Sequence, residues 1–268
     1  MTQRIPTVGV FDSGVGGLTV LKSLLTQASA ADYLYLGDTA RLPYGSKSRA
    51  TVARYAVSSA RFLVEQGAEA LVIACNTASA LALDALRSAV EVPVIGVIET
   101  GATAALQSSE TKDVLVIATA ATVESHAYSA GCRERGLRAI EKACPLLVPL
   151  VEEGWIDHKV TEEVARIYLD EAFRDGFQAA DVLLLGCTHY PLIKPLLQRV
   201  APAHVTIVDS AESTAGVVAK QLAQSGELAA GTPELKFFAT DSVEKFRRLG
   251  ARFLGQPIEE VQHVQLSE

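Results

Sequence analysis

Short apolar segments alternate with stretches of helical periodicity along most of this 268-residue chain. The apolar segments are rich in β-branched residues and lack polar alternation, which indicates strands buried on both faces, as in a parallel sheet covered by helices. Alternating strands and helices predict an α/β fold with right-handed crossovers. The predicted strands span residues 7–12, 33–37, 70–74, 92–97, 113–118, 181–186, 205–209 and 235–240.

Two segments repeat the same order of features, namely a strand, a cysteine, a polar turn, a helix and a second strand. They span residues 69–97 and 180–208. A duplicated chain predicts two similar lobes whose equivalent loops face each other across a cleft; the alternative is that all strand–helix units look alike. We expect lobe A to comprise residues 1–98 and 210–268, and lobe B residues 99–209.

The composition excludes several classes of function. A net charge of −7 argues against nucleic acid or an anionic membrane as the main partner. The sequence contains no run of about 18 apolar residues and no signal-peptide pattern, so we expect a cytoplasmic protein without a membrane span. Its four cysteines are then expected to be thiols. The absence of a C-x-x-C pair argues against a zinc site.

Two of the cysteines directly follow predicted strands, Cys75 in VIACNTAS and Cys187 in LLGCTHYP. Ligands of open α/β sheets bind beyond the carboxyl ends of the strands, and a helix N-terminus there lowers the pKa of a thiol. A single cysteine of this kind is more often a small buried hydrophobic residue. Two in the same setting indicate a functional pair, whereas Cys132 and Cys144 lack such neighbours and are predicted to be structural.

A pair of opposed thiols suits the inversion of a stereocentre. One base removes the α-proton from one face of the substrate while an acid delivers a proton to the other face. Asp12 and His189 are the ionisable residues nearest the two cysteine motifs, and either can hold or relay a proton. PLVEEGW adds Glu152 or Glu153, and the residues alone do not rank these two.

The glycine-rich loop DSGVGGLT follows the first predicted strand. A dinucleotide fingerprint requires a third glycine where Thr19 stands, although Asp38 imitates the acid that binds a ribose. Asp12 would also place a carboxylate near a pyrophosphate, which argues against a nucleotide. We expect the glycines to let backbone N–H groups approach a small anion, with Asp12 and Ser13 facing the same site.

Two further segments offer donors for substrate carboxylates. In RLPYGSKS, the turn at Tyr44 and Gly45 is predicted to present backbone donors to one carboxylate. Thr119 and Thr122 follow the strand at 113–118, where their hydroxyls are expected to bind a second carboxylate.

The chain resembles the glutamate racemases of bacterial cell-wall synthesis, within the aspartate/glutamate racemase superfamily. The resemblance rests on six motifs in this order: GVFDSGVGGLTV, YLGDTARLPYGSKS, VIACNTASA, GVIETGA, PLVEEG and LLGCTHYPL. It implies a cofactor-independent, metal-free isomerase that interconverts L- and D-glutamate and supplies the D-isomer for peptidoglycan. It also implies two doubly wound, flavodoxin-like lobes with parallel sheets and a pseudo-two-fold relation, the active site between them, and a homodimer.

The resemblance also implies roles for individual residues. Cys75 is expected to act on the D-isomer with the help of Asp12, and Cys187 on the L-isomer with the help of His189 and Glu152. The substrate-binding residues implied by the same motifs are Asp12, Ser13, Tyr44, Gly45, Asn76, Thr77, Thr119, Thr122, Thr188 and His189.

Two other functions compete with this interpretation. A superfamily enzyme acting on aspartate or another amino acid has the same two cysteines, and the DSGVGG and PYG motifs favour glutamate over it. A two-lobed amino-acid-binding protein without catalytic activity needs no cysteine pair, and its extracytoplasmic forms carry signal peptides.

Overall fold

The computed structural model describes residues 5–174, 179–224 and 232–266. The strands of these residues are β1 (Thr7–Asp12), β2 (Asp32–Gly37), β3 (Ala70–Ile73), β4 (Val94–Gly96), β5 (Asp113–Ala118), β6 (Arg138–Ala143), β7 (Val182–Gly186), β8 (Thr206–Asp209), β9 (Leu235–Ala239) and β10 (Gln262–His263).

Helices connect nearly all of these strands. They are α1 (Leu18–Gln27), α2 (Arg49–Glu65), α3 (Asn76–Ala89), α4 (Val97–Ser108), α5 (Ala120–Ser125), α6 (Ala127–Glu134), α7 (Leu147–Glu152), α8 (Lys159–Arg174), α9 (Lys194–Val200), α10 (Ser210–Gln224) and α11 (Val243–Leu254). Two short 3-10 helices lie at Tyr44–Ser46 and Tyr190–Ile193. Within the described ranges, no helix is long and apolar enough to cross a lipid bilayer.

The strands form two parallel sheets with related topology. The first has the order β10-β9-β2-β1-β3-β4 and the second the order β6-β5-β7-β8. The second sheet therefore repeats the β2-β1-β3-β4 order of the first. The last residues of β1 and β5 are equivalent, because Asp12 pairs with Gly37 of β2 just as Ala118 pairs with Ala143 of β6. The predicted α/β fold with two similar, doubly wound lobes is confirmed.

The sequence pattern missed β6 and β10. The β6 segment reads RAIEKA, lies at the edge of its sheet and is only partly buried. Edge strands carry charged residues because one side of the strand faces solvent, so the apolar run that marks a central strand is absent. β10 contains two residues, too few to produce a pattern.

Alternate residues of the central strands pack into different cores, as period-two side-chain placement requires. Val8 and Val10 of β1 share one apolar cluster with Leu115 and Ile117 of β5, so a single core joins the two sheets. Phe11 points to the opposite face and packs with α2 and α3. The outer face of β5 and β7 packs against α4 and α6 in a third cluster.

The chain returns to the first sheet after β8. Helix α10 packs against both α1 and α4, and β9 then pairs with β2. The hydroxyls of Thr100 and Thr214 hydrogen-bond at 2.7 Å where α4 meets α10. The division into residues 1–98 with 210–268 and 99–209 stays a prediction, and its parts at 1–4, 175–178, 225–231 and 267–268 lie outside the described residues.

The shared core generates a prediction about stability. Leu183 of β7 is fully buried in the cluster that joins the sheets. We expect Leu183→Ala to lower the free energy of unfolding by about 2–5 kcal/mol, because it leaves a cavity in a packed core. Ile167→Ala, on an exposed position of α8, is the control and should change it by about 0.5 kcal/mol or less. Urea unfolding followed by circular dichroism measures both; equal losses would show that this core contributes little.

Candidate active site

A cavity of about 220 Å³ opens where the carboxyl ends of the two sheets face each other. Both Cys75 and Cys187 line it. The other predicted site residues in its wall are Ser13, Tyr44, Gly45, Asn76, Thr77, Thr119, Glu152, Thr188 and His189. Asp12 and Thr122 lie behind the wall. Among the described residues, no group of three or more His, Cys, Asp or Glu side chains is arranged to hold a metal ion.

Cys75 occupies the N-cap of α3, two residues after β3 ends. Its Sγ accepts a hydrogen bond from the backbone N–H of Ala78 at 3.5 Å. The thiol donates to the hydroxyl of Ser13 at 3.6 Å. The strand end and the helix start thus hold the sulfur at the cavity with 5% of the residue exposed.

A buried carboxylate lies beside Cys75. Asp12 lies at the end of β1 and is 1% exposed. Its Oδ2 accepts a hydrogen bond from the backbone N–H of Gly14 at 2.9 Å. Its Oδ1 is buried and has no hydrogen-bond partner among the described residues. Burial raises the pKa of Asp12, while the nearby imidazole of His189 opposes this rise.

The expected net lowering of the Cys75 pKa by its helix N-terminus is wrong. Burial, and then the charge of Asp12, raise the pKa of Cys75 to about 12. The hydrogen bonds from Ala78 and with Ser13 oppose this rise but are weaker. A low-dielectric environment penalises the charged form more strongly than one helix end stabilises it. Cys75 is therefore a protonated thiol at neutral pH.

The second thiol has a different partner. Nδ1 of His189 lies 4.0 Å from Sγ of Cys187, and Nε2 of His189 lies 3.1 Å from Oε1 of Glu152. Burial lowers the pKa of His189, but hydrogen bonds with Cys187 and Glu152 outweigh burial and raise it to about 10. The bond with His189 in turn lowers the pKa of Glu152. At neutral pH the pair is an imidazolium and a carboxylate.

The local structure around Cys187 differs from the prediction. We expected Cys187 at the N-terminus of an α-helix, as for Cys75. Instead it follows β7 directly, and the chain continues through Thr188 and His189 into the 3-10 helix at Tyr190–Ile193. The two prolines in YPLIKP break up the start of this helical segment, so that α9 begins only at Lys194.

The structure distinguishes between the two glutamates of PLVEEGW. Glu152 ends α7 and contacts His189, whereas Glu153 is exposed to solvent. The other carboxylate oxygen of Glu152, Oε2, lies 3.8 Å from Nζ of Lys245 on α11. The ring of Phe253, also on α11, packs edge-on against His189 with centroids 5.1 Å apart. Helix α11 thus supports the His189–Glu152 pair from outside the cavity.

Three threonine hydroxyls form a closed triangle at one side of the cavity. Thr77 lies 3.0 Å from Thr119 and 3.1 Å from Thr122, and Thr119 lies 2.9 Å from Thr122. Thr122 is fully buried and does not reach the cavity. In this arrangement Thr122 holds the two threonines that line the wall, and its contact with substrate stays a prediction.

Asp38 lies at the sequence position of a ribose-binding acid, but in the structure it is a buried residue that supports the cavity wall. Its two carboxylate oxygens accept hydrogen bonds from the hydroxyls of Tyr44 at 2.6 Å and Thr240 at 2.9 Å. The hydroxyl proton of Tyr44 is therefore already engaged by Asp38.

The glycines of DSGVGG serve mainly to bring two loops together. A Cβ on Gly16 would lie 2.6 Å from Nδ1 of His189, so only glycine fits there. The hydroxyl of Thr19 donates to the carbonyl oxygens of both Gly16, at 3.0 Å, and Thr188, at 3.2 Å. Thr19 stands where a dinucleotide fingerprint requires its third glycine. Its hydroxyl thereby connects the glycine loop to the Cys187 loop. Anion binding by the backbone N–H groups of this loop stays a prediction, and the N–H of Gly14 already donates to Asp12.

Two residues that contact this site were not predicted from the sequence. Lys245 pairs with Glu152, and the hydroxyl of Tyr128 donates to Oδ1 of Asn76 at 2.5 Å. Neither carries a local signal, because each lies far along the chain from its partner and belongs to an ordinary helix.

Comparison with known proteins identifies the family. The Asp/Glu/hydantoin racemase family model matches residues 8–218. The chain belongs to this family. It is similar to the glutamate racemase of Koribacter versatilis, with 55% identity over 99% of each chain.

Solved structures agree with this assignment. The chain is 47% identical to a glutamate racemase from Thermus thermophilus in complex with β-chloro-D-alanine, with a TM-score of 0.86. It is 37% identical to a glutamate racemase from Francisella tularensis in complex with D-glutamate, with a TM-score of 0.89. Both comparisons cover 97% of each chain. The predicted family and enzyme class, an amino-acid racemase, are confirmed.

The raised pKa of His189 predicts how stability depends on pH. The folded protein holds this proton up to a pH of about 10, whereas the unfolded chain loses it near 6.5. The stabilisation is therefore complete below the unfolded pKa and is lost as the pH rises through the folded pKa. We expect the stability difference between wild type and His189→Asn to shrink as the pH rises from 6.5 to 10 in urea titrations. A stability difference that stays constant over this range would contradict the stabilising role given to the protonated His189.

The close approach of the glycine loop predicts a second outcome. Gly16→Ala should push the Thr188–His189 segment away and lower kcat/KM by about 100-fold, since small displacements of catalytic groups have effects of this size. Gly216→Ala, in α10 with only an ordinary contact to Gln27, is the control and should retain full activity. Steady-state kinetics that find both variants equally active would contradict the role given to Gly16.

Proposed function

We propose that this racemase interconverts L- and D-glutamate without a cofactor, using Cys75 and Cys187 as its two acid–base groups. The observation that carries the proposal is that both thiols line one cavity of about 220 Å³. They follow β3 and β7, which hold equivalent positions in the two sheets. Loops from equivalent positions approach a bound α-carbon from opposite sides, as inversion requires.

The choice of glutamate is supported by the wall of the cavity and by the relatives. The wall contains neutral hydroxyl and amide donors, namely those of Ser13, Asn76, Thr77, Thr119 and Thr188. Donors of this kind hold carboxylates and also stabilise the negative charge that develops when an α-proton leaves. An aspartate racemase needs the same thiols, and the similarity to proteins named glutamate racemases supports glutamate over aspartate.

The proposed reaction transfers one proton at each face. The thiolate of Cys75 takes the α-proton of D-glutamate, and the thiol of Cys187 gives its proton to the opposite face of the carbanion, which yields L-glutamate. The reverse reaction exchanges these roles. Because burial and the charge of Asp12 raise the pKa of Cys75, the proposal assigns to Asp12 the role of accepting the thiol proton. On the other side, the imidazolium of His189, held by Glu152, returns a proton to Cys187.

The same proposal extends to the biological role. We propose that the D-glutamate produced supplies peptidoglycan synthesis in the cytoplasm, and that the enzyme is a homodimer with two lobes divided near residues 98 and 210. The rival function, an amino-acid-binding protein without catalysis, leaves the two thiols in its cavity without a purpose.

A time course of circular dichroism in D₂O tests the substrate and the reaction together. Separate samples of L-glutamate, D-glutamate and L-aspartate are incubated with the enzyme and no added cofactor. We expect the signal of both glutamate enantiomers to decay to zero, with deuterium at the α-carbon of the product. Decay with aspartate alone would correct the substrate, and no decay with any of the three would favour a binding protein.

Variants of the cysteines test the two-thiol mechanism. Cys75→Ala and Cys187→Ala should each lower the racemisation rate by at least about 100-fold, the range expected for loss of a general acid–base group. Both should still bind glutamate in a calorimetric titration. Cys132→Ala, at a buried thiol of α6 outside the cavity, is the matched control and should retain activity. Wild-type turnover by either alanine variant would refute the mechanism.

A further inference from the structure

Asn76 is the only asparagine in the chain. It begins α3 directly after Cys75, and it lines the cavity with 4% of its surface exposed. A side-chain amide offers an acceptor oxygen at one end and two donor protons at the other. Only the NH₂ end can donate to a substrate carboxylate. The amide must therefore be held with its NH₂ group, and not its oxygen, towards the cavity.

Tyr128 selects that orientation from the other lobe. Its ring on α6 is fully buried, and its hydroxyl lies 2.5 Å from Oδ1 of Asn76. The phenol hydroxyl donates and the amide oxygen accepts, as in other O–H···O hydrogen bonds. Nδ2 of Asn76 has no hydrogen-bond acceptor among the described residues, and Asn76 lines the cavity.

The ring of Tyr128 is held in a slot that two glycines create. A Cβ on Gly186 would lie 2.9 Å from Cε2 of the ring, and one on Gly101 would lie 3.2 Å from its hydroxyl oxygen. Gly186 immediately precedes Cys187, so the slot lies directly under the second cysteine loop. Burial raises the pKa of Tyr128 far above its ordinary value, despite the opposing hydrogen bond with Ser210. The hydroxyl therefore keeps its proton and remains a donor.

We propose that Tyr128 is a positioning residue for substrate binding, which holds Oδ1 of Asn76 so that Nδ2 faces the cavity and donates to a substrate carboxylate. The inference rests on the proposed function in that the ligand is taken to be glutamate. It adds a residue that does not line the cavity and acts through Asn76 alone. It also makes the binding site depend on both lobes, because α6 and α3 flank different sheets.

The kinetic test removes the hydroxyl and keeps the ring. Tyr128→Phe should raise KM for both glutamate enantiomers by about three- to tenfold, the effect of one hydrogen bond, with a smaller change in kcat. Tyr33→Phe is the matched control, because Tyr33 is equally buried and donates at 2.5 Å to the carbonyl of Ala28, away from the cavity. It should leave KM unchanged. A KM for Tyr128→Phe equal to that of the control would overturn the inference.

A double-variant cycle tests whether Tyr128 acts through Asn76. Asn76→Ala should itself raise KM, and adding Tyr128→Phe to it should raise KM no further, because the hydroxyl then has no amide to orient. If the two increases multiply instead, Tyr128 influences binding by another route and the inference is wrong.

A spectroscopic test is independent of turnover. Labelling the protein with [¹⁵N]asparagine gives one side-chain NH₂ pair, since Asn76 is the only asparagine. We expect this pair to shift when glutamate is added to wild type, and to shift in the free protein on Tyr128→Phe but not on Tyr33→Phe. If the NH₂ resonances of Asn76 shift neither on addition of glutamate nor on Tyr128→Phe, the positioning role is refuted. A wild type that shows these shifts yet fails to racemise glutamate would instead refute the proposed function alone.

Discussion

The apolar core between the two parallel sheets is the interaction on which the site depends. Residues of β1 and β5 pack into one cluster, so the sheets have a fixed relative position. Because the loops that bind ligands leave the carboxyl ends of parallel strands, fixing the sheets also fixes the Cys75 loop against the Cys187 loop. Hydrogen bonds such as those from Thr19 to Thr188 and from Tyr128 to Asn76 then operate over the short distances that the core has already set.

The two lobes have the same fold, but the ionisable residues beside their two cysteines differ. Asp12 ends β1, and its equivalent at the end of β5 is Ala118. The buried carboxylate therefore exists only beside Cys75, where it raises the pKa of the thiol. The imidazolium of His189 contacts the thiol of Cys187, and its charge also reaches Asp12. Mirror-image substrates require two opposed acid–base groups, but they do not require the same supporting groups, and this chain supports one thiol with a carboxyl group and the other with an imidazolium.

Residues behind the cavity wall determine how the wall residues face the substrate. Thr122 holds two threonine hydroxyls, Asp38 holds the hydroxyl of Tyr44, and Tyr128 holds the amide of Asn76. Each of these supporting side chains is buried, so the orientation it imposes is not lost to water. A substrate carboxylate then meets donors that are already oriented, which reduces the cost of ordering them on binding.

The sequence by itself determined the α/β class and the two cysteine loops, because buried parallel strands need continuous apolar runs and both features are local. It missed β6, whose edge position removes that run. The remaining features were decided by tertiary structure. Glu152, and not Glu153, contacts His189 from a distant segment of the chain. In the same way, Asp12 raises the pKa of Cys75, and the His189 loop leaves room only for glycine at position 16. These properties depend on how deeply each group is buried and on its distance from its partner, and neither quantity can be read from a local sequence pattern.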